Sequence, residues 1–179
     1  MALTQVPGTM MAAATVTPTI LSQPLTAATA QTTTSGTSKD FTGIPSWVKR
    51  ITVMLSGVSK TGATNFLVQL GTSGGVVSTG YGSLASFSGA SSVAGYLTST
   101  AGFNSAGDAN TNSVSAIFTI VNVSGNIWVA SLSGAVTNSV YGMTGGGSVT
   151  LSGVLTSVRL TTISGTDTFS TGSVNIFYE

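Results

Sequence analysis

The side chains that usually perform enzymatic chemistry are nearly absent from this sequence of 179 residues. It contains no histidine and no cysteine, which removes the commonest general base, the thiolate metal ligands and every Ser-His or Cys-His nucleophile. The carboxylates that remain are Asp40, Asp108, Asp167 and Glu179. A paired-carboxylate glycosidase would have to use Asp108 and Asp167, and nothing in their spacing brings them together. The sequence therefore predicts a protein that is not an enzyme and that uses no cofactor and no metal.

Two short motifs approach ligand-binding loops without completing them. Residues 108–112 place oxygen-bearing side chains at alternate positions, as a calcium loop does, but Ser113 stands where an EF-hand requires glycine. A phosphate-binding loop requires glycine directly before its lysine, and here Ser59 precedes Lys60. Polar turns explain both motifs better than ligand binding does.

Charged residues make up only 5% of the chain, and the net charge is +1. Binding a nucleic acid requires several phosphates to be neutralised by lysine or arginine, so we expect no nucleic-acid partner. No run of about 18 apolar residues is present, so we expect no membrane partner. The N-terminus also lacks the basic region of a secretory signal. Low charge leaves little repulsion between copies, which favours burial in an oligomer or a larger assembly.

From Phe41 onward the pattern alternates between strands and turns. Residues 114–123 and 127–133 are rich in β-branched side chains and flank a Ser-Gly-Asn turn, which predicts a β-hairpin. Residues 50–56 place Ile51, Val53 and Leu55 on one face. No window shows helical spacing of apolar residues. Seven to nine short strands predict an all-β fold, an antiparallel β-sandwich that is jelly-roll-like, with a fibre-like β-prism as the alternative.

Residues 1–40 have a different composition and are expected to form an extended N-terminal arm and linker ahead of a sandwich domain at 41–179. Prolines interrupt this segment, and residues 31–38 form a polar stretch typical of a flexible linker. One interpretation is a disordered tail. The other is an arm that orders in a groove on a partner, with these apolar side chains as anchors: Leu3, Val6, Met10 and Met11.

Residues 71–112 and 134–147 are rich in glycine and serine and are expected to form long loops. Long loops on a rigid scaffold commonly carry recognition. The aromatic residues Tyr81, Tyr96 and Tyr141 lie in these stretches and are our candidates for surface recognition. The alternative is that these aromatic side chains belong to the core and that the glycines only form turns.

Both ends of the expected sandwich carry a family likeness. Residues 38–60 (SKDFTGIPSWVKRITVMLSGVSK), followed by Val-Gln-Leu-Gly at 68–71, resemble the start of a β-domain that recurs in tail-fibre and other virion structural proteins of tailed bacteriophages. The stretch 159–179, which ends in Gly-Ser-Val-Asn-Ile-Phe-Tyr-Glu, resembles the end of the same domain. The opening residues 2–10 are similar to short N-terminal peptides of phage fibre proteins.

This resemblance implies a virion structural protein that is assembled in the host cytoplasm. It implies that the arm attaches to other virion proteins of the capsid or tail, that the chain is a homotrimer, and that the outward domain contacts a glycan on the host surface. Fibres usually carry a long shaft between arm and tip, and this chain has none. A capsid decoration (cement) protein, whose arm lies across neighbouring capsid subunits, therefore stays as the alternative.

Overall fold

Alternating buried and exposed side chains build a two-layer β-structure. The computed structural model describes residues 23–89, 92–106, 110, 112–139 and 141–179. This part contains no helix and the following strands: β1 (Thr26–Ala27), β2 (Gln31–Thr32), β3 (Lys39–Thr42), β4 (Arg50–Lys60), β5 (Phe66–Thr72), β6 (Gly75–Val76), β7 (Gly82–Gly89), β8 (Ser92–Ser99), β9 (Phe103–Asn104), β10 (Val114–Ser124), β11 (Ile127–Val136), β12 (Tyr141–Thr150), β13 (Ser157–Thr162) and β14 (Phe169–Tyr178).

The strands form two antiparallel sheets packed on each other. The large sheet has the order β1-β14-β4-β10-β11-β12-β7-β8, and β2 pairs with β14 beside β1. The small sheet has the order β3-β13-β5-β6, and β9 also pairs with β5. The predicted antiparallel β-sandwich is confirmed, although the described residues form more strands than the seven to nine expected, and five of them, β4, β10, β11, β12 and β14, are ten or eleven residues long.

The core lies between the two sheets. Ile51, Val53 and Leu55 of β4 all point inward, which confirms the predicted face. They meet the inward side chains of β5 from the small sheet within one continuous apolar cluster. The rings of Phe66 and Phe169 stack at 6.2 Å between centroids and join the small sheet to the last strand of the large one. Burial of this cluster is the main source of stability, at about 25 cal/mol for each Å² removed from water.

The predicted hairpin is confirmed as β10 and β11. Its register runs from Val114 opposite Val136 to Asn122 opposite Trp128. The Asn122 side-chain amide donates to the Gly125 and Ile127 carbonyl oxygens at 2.9 and 3.1 Å and closes the turn. Gly125 has a φ of 51°, a left-handed conformation that glycine adopts without strain.

The boundary predicted at residue 40 is wrong, because the sandwich includes earlier residues. β1 and β2 pair with β14, and Thr33 is fully buried. The Thr33 hydroxyl donates to the Thr171 carbonyl oxygen at 2.7 Å, and its N–H donates to the Gly172 carbonyl oxygen at 2.9 Å. These contacts use backbone groups, so a polar composition did not reveal them. The predicted anchors of the arm lie outside the described residues: Leu3, Val6, Met10 and Met11.

The two long loops predicted at 71–112 and 134–147 are largely strands. They contain β6 to β9, the end of β11 and most of β12. Three consecutive glycines in β12 allow close approach of both neighbouring strands. A Cβ atom on Gly145 would lie 2.5 Å from the Leu84 carbonyl oxygen, and one on Gly146 would lie 2.7 Å from that of Ala130. Glycine here marks a backbone approach rather than a loop.

We expect Gly147→Ala to destabilise the protein by about 1–3 kcal/mol because the added methyl group overpacks against backbone. Its Cβ would lie 2.8 Å from the Ser83 Cα and closer still to the Gly82 carbonyl oxygen. Gly82→Ala is the matched control, since a Cβ on Gly82 has nothing within 4 Å. Urea unfolding of both variants measures the effect, and equal stabilities would contradict the close approach.

Candidate functional site

The candidate site is the outer face of the large sheet, which we define as the side turned away from the small sheet. Its side chains alternate with the buried ones along each strand. Six apolar side chains in β14, β4, β10 and β11 form what we call the apolar half: Met54, Ile117, Val121, Ile127, Val129 and Phe177. Ile117 pairs with Met54, and Val121 pairs with Val129, so these residues are neighbours across strands.

Hydroxyl-bearing residues dominate the remaining part, which we call the hydroxyl half. One row crosses four strands in register, with Ser133 opposite Thr144, Thr144 opposite Ser86, and Ser86 opposite Tyr96. The hydroxyls of Ser86 and Thr144 are hydrogen-bonded at 3.2 Å. An open depression of about 450 Å³ lies along this row and includes Ser88 in its lining. A second depression of about 490 Å³ adjoins it and is lined in part by Leu84, Thr98, Thr100 and Gly146.

The prediction that Tyr81 serves surface recognition is wrong. Its side chain is in the core, with 2% of the residue exposed. The ring meets that of Phe103 edge-on at 5.0 Å, and the Leu70 N–H donates to the Tyr81 hydroxyl oxygen at 2.7 Å. This tyrosine therefore satisfies a backbone amide inside the sandwich, as in the alternative interpretation of the aromatic residues.

The other two predicted tyrosines differ from each other. Tyr96 is 71% exposed and lies in the hydroxyl row. Tyr141 is half-buried, with its ring 5.6 Å from that of Phe87, and its hydroxyl accepts a hydrogen bond from the Asn112 side-chain amide at 3.1 Å. The three tyrosines do not form one cluster. Of the three, Tyr96 is the one that is largely exposed, a position that alternation within β8 could have indicated.

The described carboxylates all have protein partners. Asp40 accepts two hydrogen bonds from Arg159, at 2.6 Å from Nε and 2.9 Å from Nη2, on the outer side of the small sheet. This pairing raises the pKa of the Arg159 guanidinium above its usual value. Asp167 accepts from the Thr64 hydroxyl at 2.5 Å, and Glu179 pairs with Arg50. Within residues that the structure describes, no three potential metal ligands form a group.

Lys60 was expected in a polar turn, but the structure places it at the end of β4 with its side chain inside the sandwich. Only 1% of the residue is exposed. Its ammonium group lies 4.8 Å from the centre of the Phe66 ring, a cation–π contact. The strand pattern continues through Val58 to Lys60 after a bulge, and that bulge hid the inward position from sequence analysis.

Comparison of the chain with protein-family models, curated proteins and solved structures returned no match. No helix that could cross a membrane occurs in the part of the chain that the structure describes. The class defined by the fold is therefore architectural: an antiparallel β-sandwich with a wide outer face divided into an apolar half and a hydroxyl half.

We expect Tyr81→Phe to destabilise the protein by about 1–3 kcal/mol at neutral pH, because the buried Leu70 N–H loses its acceptor. Tyr96→Phe is the matched control and should change the free energy of unfolding by less than about 0.5 kcal/mol, since this hydroxyl is on the surface. Chemical denaturation distinguishes them. Equal effects of the two substitutions would refute the buried role of Tyr81.

The same tyrosine predicts a pH dependence. Burial raises the pKa of Tyr81 to about 12, partly offset by the Leu70 hydrogen bond, whereas an unfolded tyrosine titrates near 10. Because the folded pKa is the higher one, the stabilisation is complete below about pH 10 and is lost as the pH rises from about 10 to 12. The stability difference between wild type and Tyr81→Phe should therefore shrink in this window. A difference that stays constant across it would contradict the shift.

Proposed function

We propose that the protein is a non-enzymatic structural component of a tailed-phage virion. Its N-terminal residues attach the chain to another virion protein, and the sandwich projects outward as a short fibre or adhesin-type protein that contacts the host surface. The protein acts as a homotrimer and is assembled in the host cytoplasm. Its function is adhesion and assembly. These require a contact surface and a rigid scaffold, which an uncharged face and a rigid sandwich provide.

The observation that carries this proposal is the pairing of the two segments that resemble virion proteins. Residues 38–60 contribute β3 and β4, and residues 159–179 contribute most of β13 and all of β14. β4 pairs with β14 from Ile51 opposite Tyr178 to Lys60 opposite Phe169, and β3 pairs with β13. Segments about a hundred residues apart therefore form one unit. A domain shared with virion proteins of tailed phages would contain both segments, so a resemblance at both segments is what such a domain predicts.

The ends of these segments also meet at one end of the sandwich. The N–H groups of Lys49 and Arg50 both donate to the Glu179 carbonyl oxygen at 2.8 Å, and the Arg50 guanidinium pairs with the Glu179 carboxylate. The rings of Trp47 and Tyr178 lie 6.2 Å apart. The most recognisable residues of both segments thus have a shared structural role, which supports treating them as one motif.

The hydroxyl half supports contact with a glycan. Neutral sugars are bound by hydroxyl and amide groups together with flat aromatic faces, and a shallow site lined by Ser86, Ser133 and Thr144 beside the exposed Tyr96 offers both. A neutral glycan also brings no charge that this face would have to compensate. The host-surface contact is therefore assigned to this half of the face.

The alternative function is a capsid decoration (cement) protein that stabilises the head shell. It is favoured because no residues are left for a fibre shaft between the proposed attachment residues 2–22 and β1, which begins at Thr26. Copy number separates the two functions. Quantitative protein staining of purified virions should give tens of copies or fewer for a fibre and hundreds for a decoration protein, values that follow from tail and shell symmetry.

We expect deletion of residues 2–22 to abolish incorporation into particles while the sandwich keeps its fold. The cut stops before β1, so the pairing with β14 is preserved. Deletion of residues 2–35 is the comparison, and it should lower the melting temperature because it removes β1, β2 and the buried Thr33. Normal incorporation of the shorter deletion would contradict attachment through the N-terminal residues.

A further inference from the structure

The apolar half exposes large apolar side chains. In a monomeric protein such positions would ordinarily be buried or occupied by polar residues. Ile117 is 50% exposed, and Val121, Ile127, Val129 and Phe177 are all exposed beyond a third. In the sheet register Ile117 lies beside Met54 and Val121 lies beside Val129, and a row formed by Thr52, Thr119 and Ser131 separates these two groups. Exposed apolar patches of this kind mark contact surfaces.

The chain has few charges, and those beside this patch have partners within the chain: Arg50 lies opposite Val121, and Lys49 donates to the Asn122 side-chain oxygen at 3.3 Å. Asp40 and Arg159 pair on the outer side of the small sheet, and Lys60 is inside the core. On the described outer face of the large sheet, Arg50 at one end is the charged residue, and its partner is Glu179 of the same chain. A surface that covers the apolar half therefore needs no counter-charge, and a charged partner would leave its own charges desolvated and unpaired.

The size of the apolar half suits a stable contact. Four strands at about 4.8 Å spacing span about 19 Å, and eight residues at about 3.4 Å rise span about 27 Å, so the flat area is about 500 Å² per copy. Two such faces together bury about 1,000 Å², which reaches the threshold for a biological interface. Faces of paired sheets pack at about 10 Å with interdigitating side chains, which Ile117 and Val129 would provide.

We propose that a second copy of this chain covers the apolar half, so that this face joins two copies. The occupant is a copy because the same predominantly apolar surface is then supplied from both sides, and the hydroxyls of Thr52, Thr119 and Ser131 on one copy can bond to those on the other. Because two identical faces that cover each other close as a pair, this contact is separate from the three-fold contact of the proposed homotrimer, and the inference goes beyond that function. The hydroxyl half stays outside this contact and remains open to the host surface.

The test uses the full chain with Ile117→Lys and, as the matched control, Ile163→Lys. Ile163 is 47% exposed, close to the 50% of Ile117, but it follows β13 of the small sheet. Light scattering after size exclusion, over a dilution series, should give a dimer, or a hexamer where the trimer contact also forms, for wild type and for Ile163→Lys. Ile117→Lys should lose this contact, with its mass halved, while circular dichroism shows an unchanged β-spectrum.

Cross-linking provides a second readout if Ile117→Lys fails to fold. The chain has no cysteine, so Val129→Cys introduces a single thiol on the apolar half and Ile163→Cys introduces one outside it. A short bismaleimide should link copies of Val129→Cys and leave Ile163→Cys unlinked. Cross-linking adds no charge to the face, so it can be measured on protein that is purified from cells or refolded.

The outcomes separate the inference from the proposed function. A wild-type protein that is monomeric at every concentration overturns both this face and the homotrimer. An oligomer that survives Ile117→Lys, with no cross-linking of Val129→Cys, overturns the face and leaves the virion role standing. A wild-type dimer that dissociates in Ile117→Lys supports the face and contradicts the homotrimer.

Discussion

The pairing of β14 with β4 is the interaction on which the rest of the structure depends. It inserts the last strand of the chain beside the first long one, so that Val174 and Ile176 join Val53 and Leu55 in the core. The outer edge of β14 then receives β1 and β2, and the other edge of β4 receives β10. Since the partners are far apart in sequence, loop-closure entropy opposes this step until both sheets can pack.

A local constraint makes this pairing geometrically feasible. The register between β4 and β14 shifts on either side of Thr171, and Gly172 in the shifted segment has a φ of 94°. A Cβ there would lie 2.5 Å from the Gly57 carbonyl oxygen, so no other residue fits without displacing β4. Gly57 is itself in the left-handed region, and its N–H donates to the Ser115 hydroxyl of β10. The two glycines thus allow the bulge between β4 and β14.

Sequence analysis predicted the strands whose position is decided by side-chain burial. It failed for strands whose position is decided by the close approach of neighbouring backbones. The alternation in β4 and the hairpin of β10 and β11 follow from the burial of every second residue, a pattern visible without a partner strand. β7 was missed, and β8 and β12 were anticipated only in part, because glycine and serine weaken that pattern. Glycine and serine occur in these strands because adjacent backbones lie close together, and that closeness is a tertiary property. Tyr81 was misassigned for a related reason: its role is to satisfy the Leu70 amide across the core.

The same scarcity of charge has opposite consequences on the two halves of the outer face. Serine and threonine hydroxyls in the row through Thr144 bind water well, so their exposure costs little and they can exchange water for the hydroxyls of a ligand. Ile117 and Val129 have no such option, because exposed aliphatic surface is unfavourable in water at about 25 cal/mol per Å². One strand, β11, carries both kinds of residue, with Val129 near one end and Ser133 near the other. The boundary between the apolar half and the hydroxyl half therefore runs through the middle of a single rigid sheet, so contacts made through the two halves would keep a fixed relative orientation.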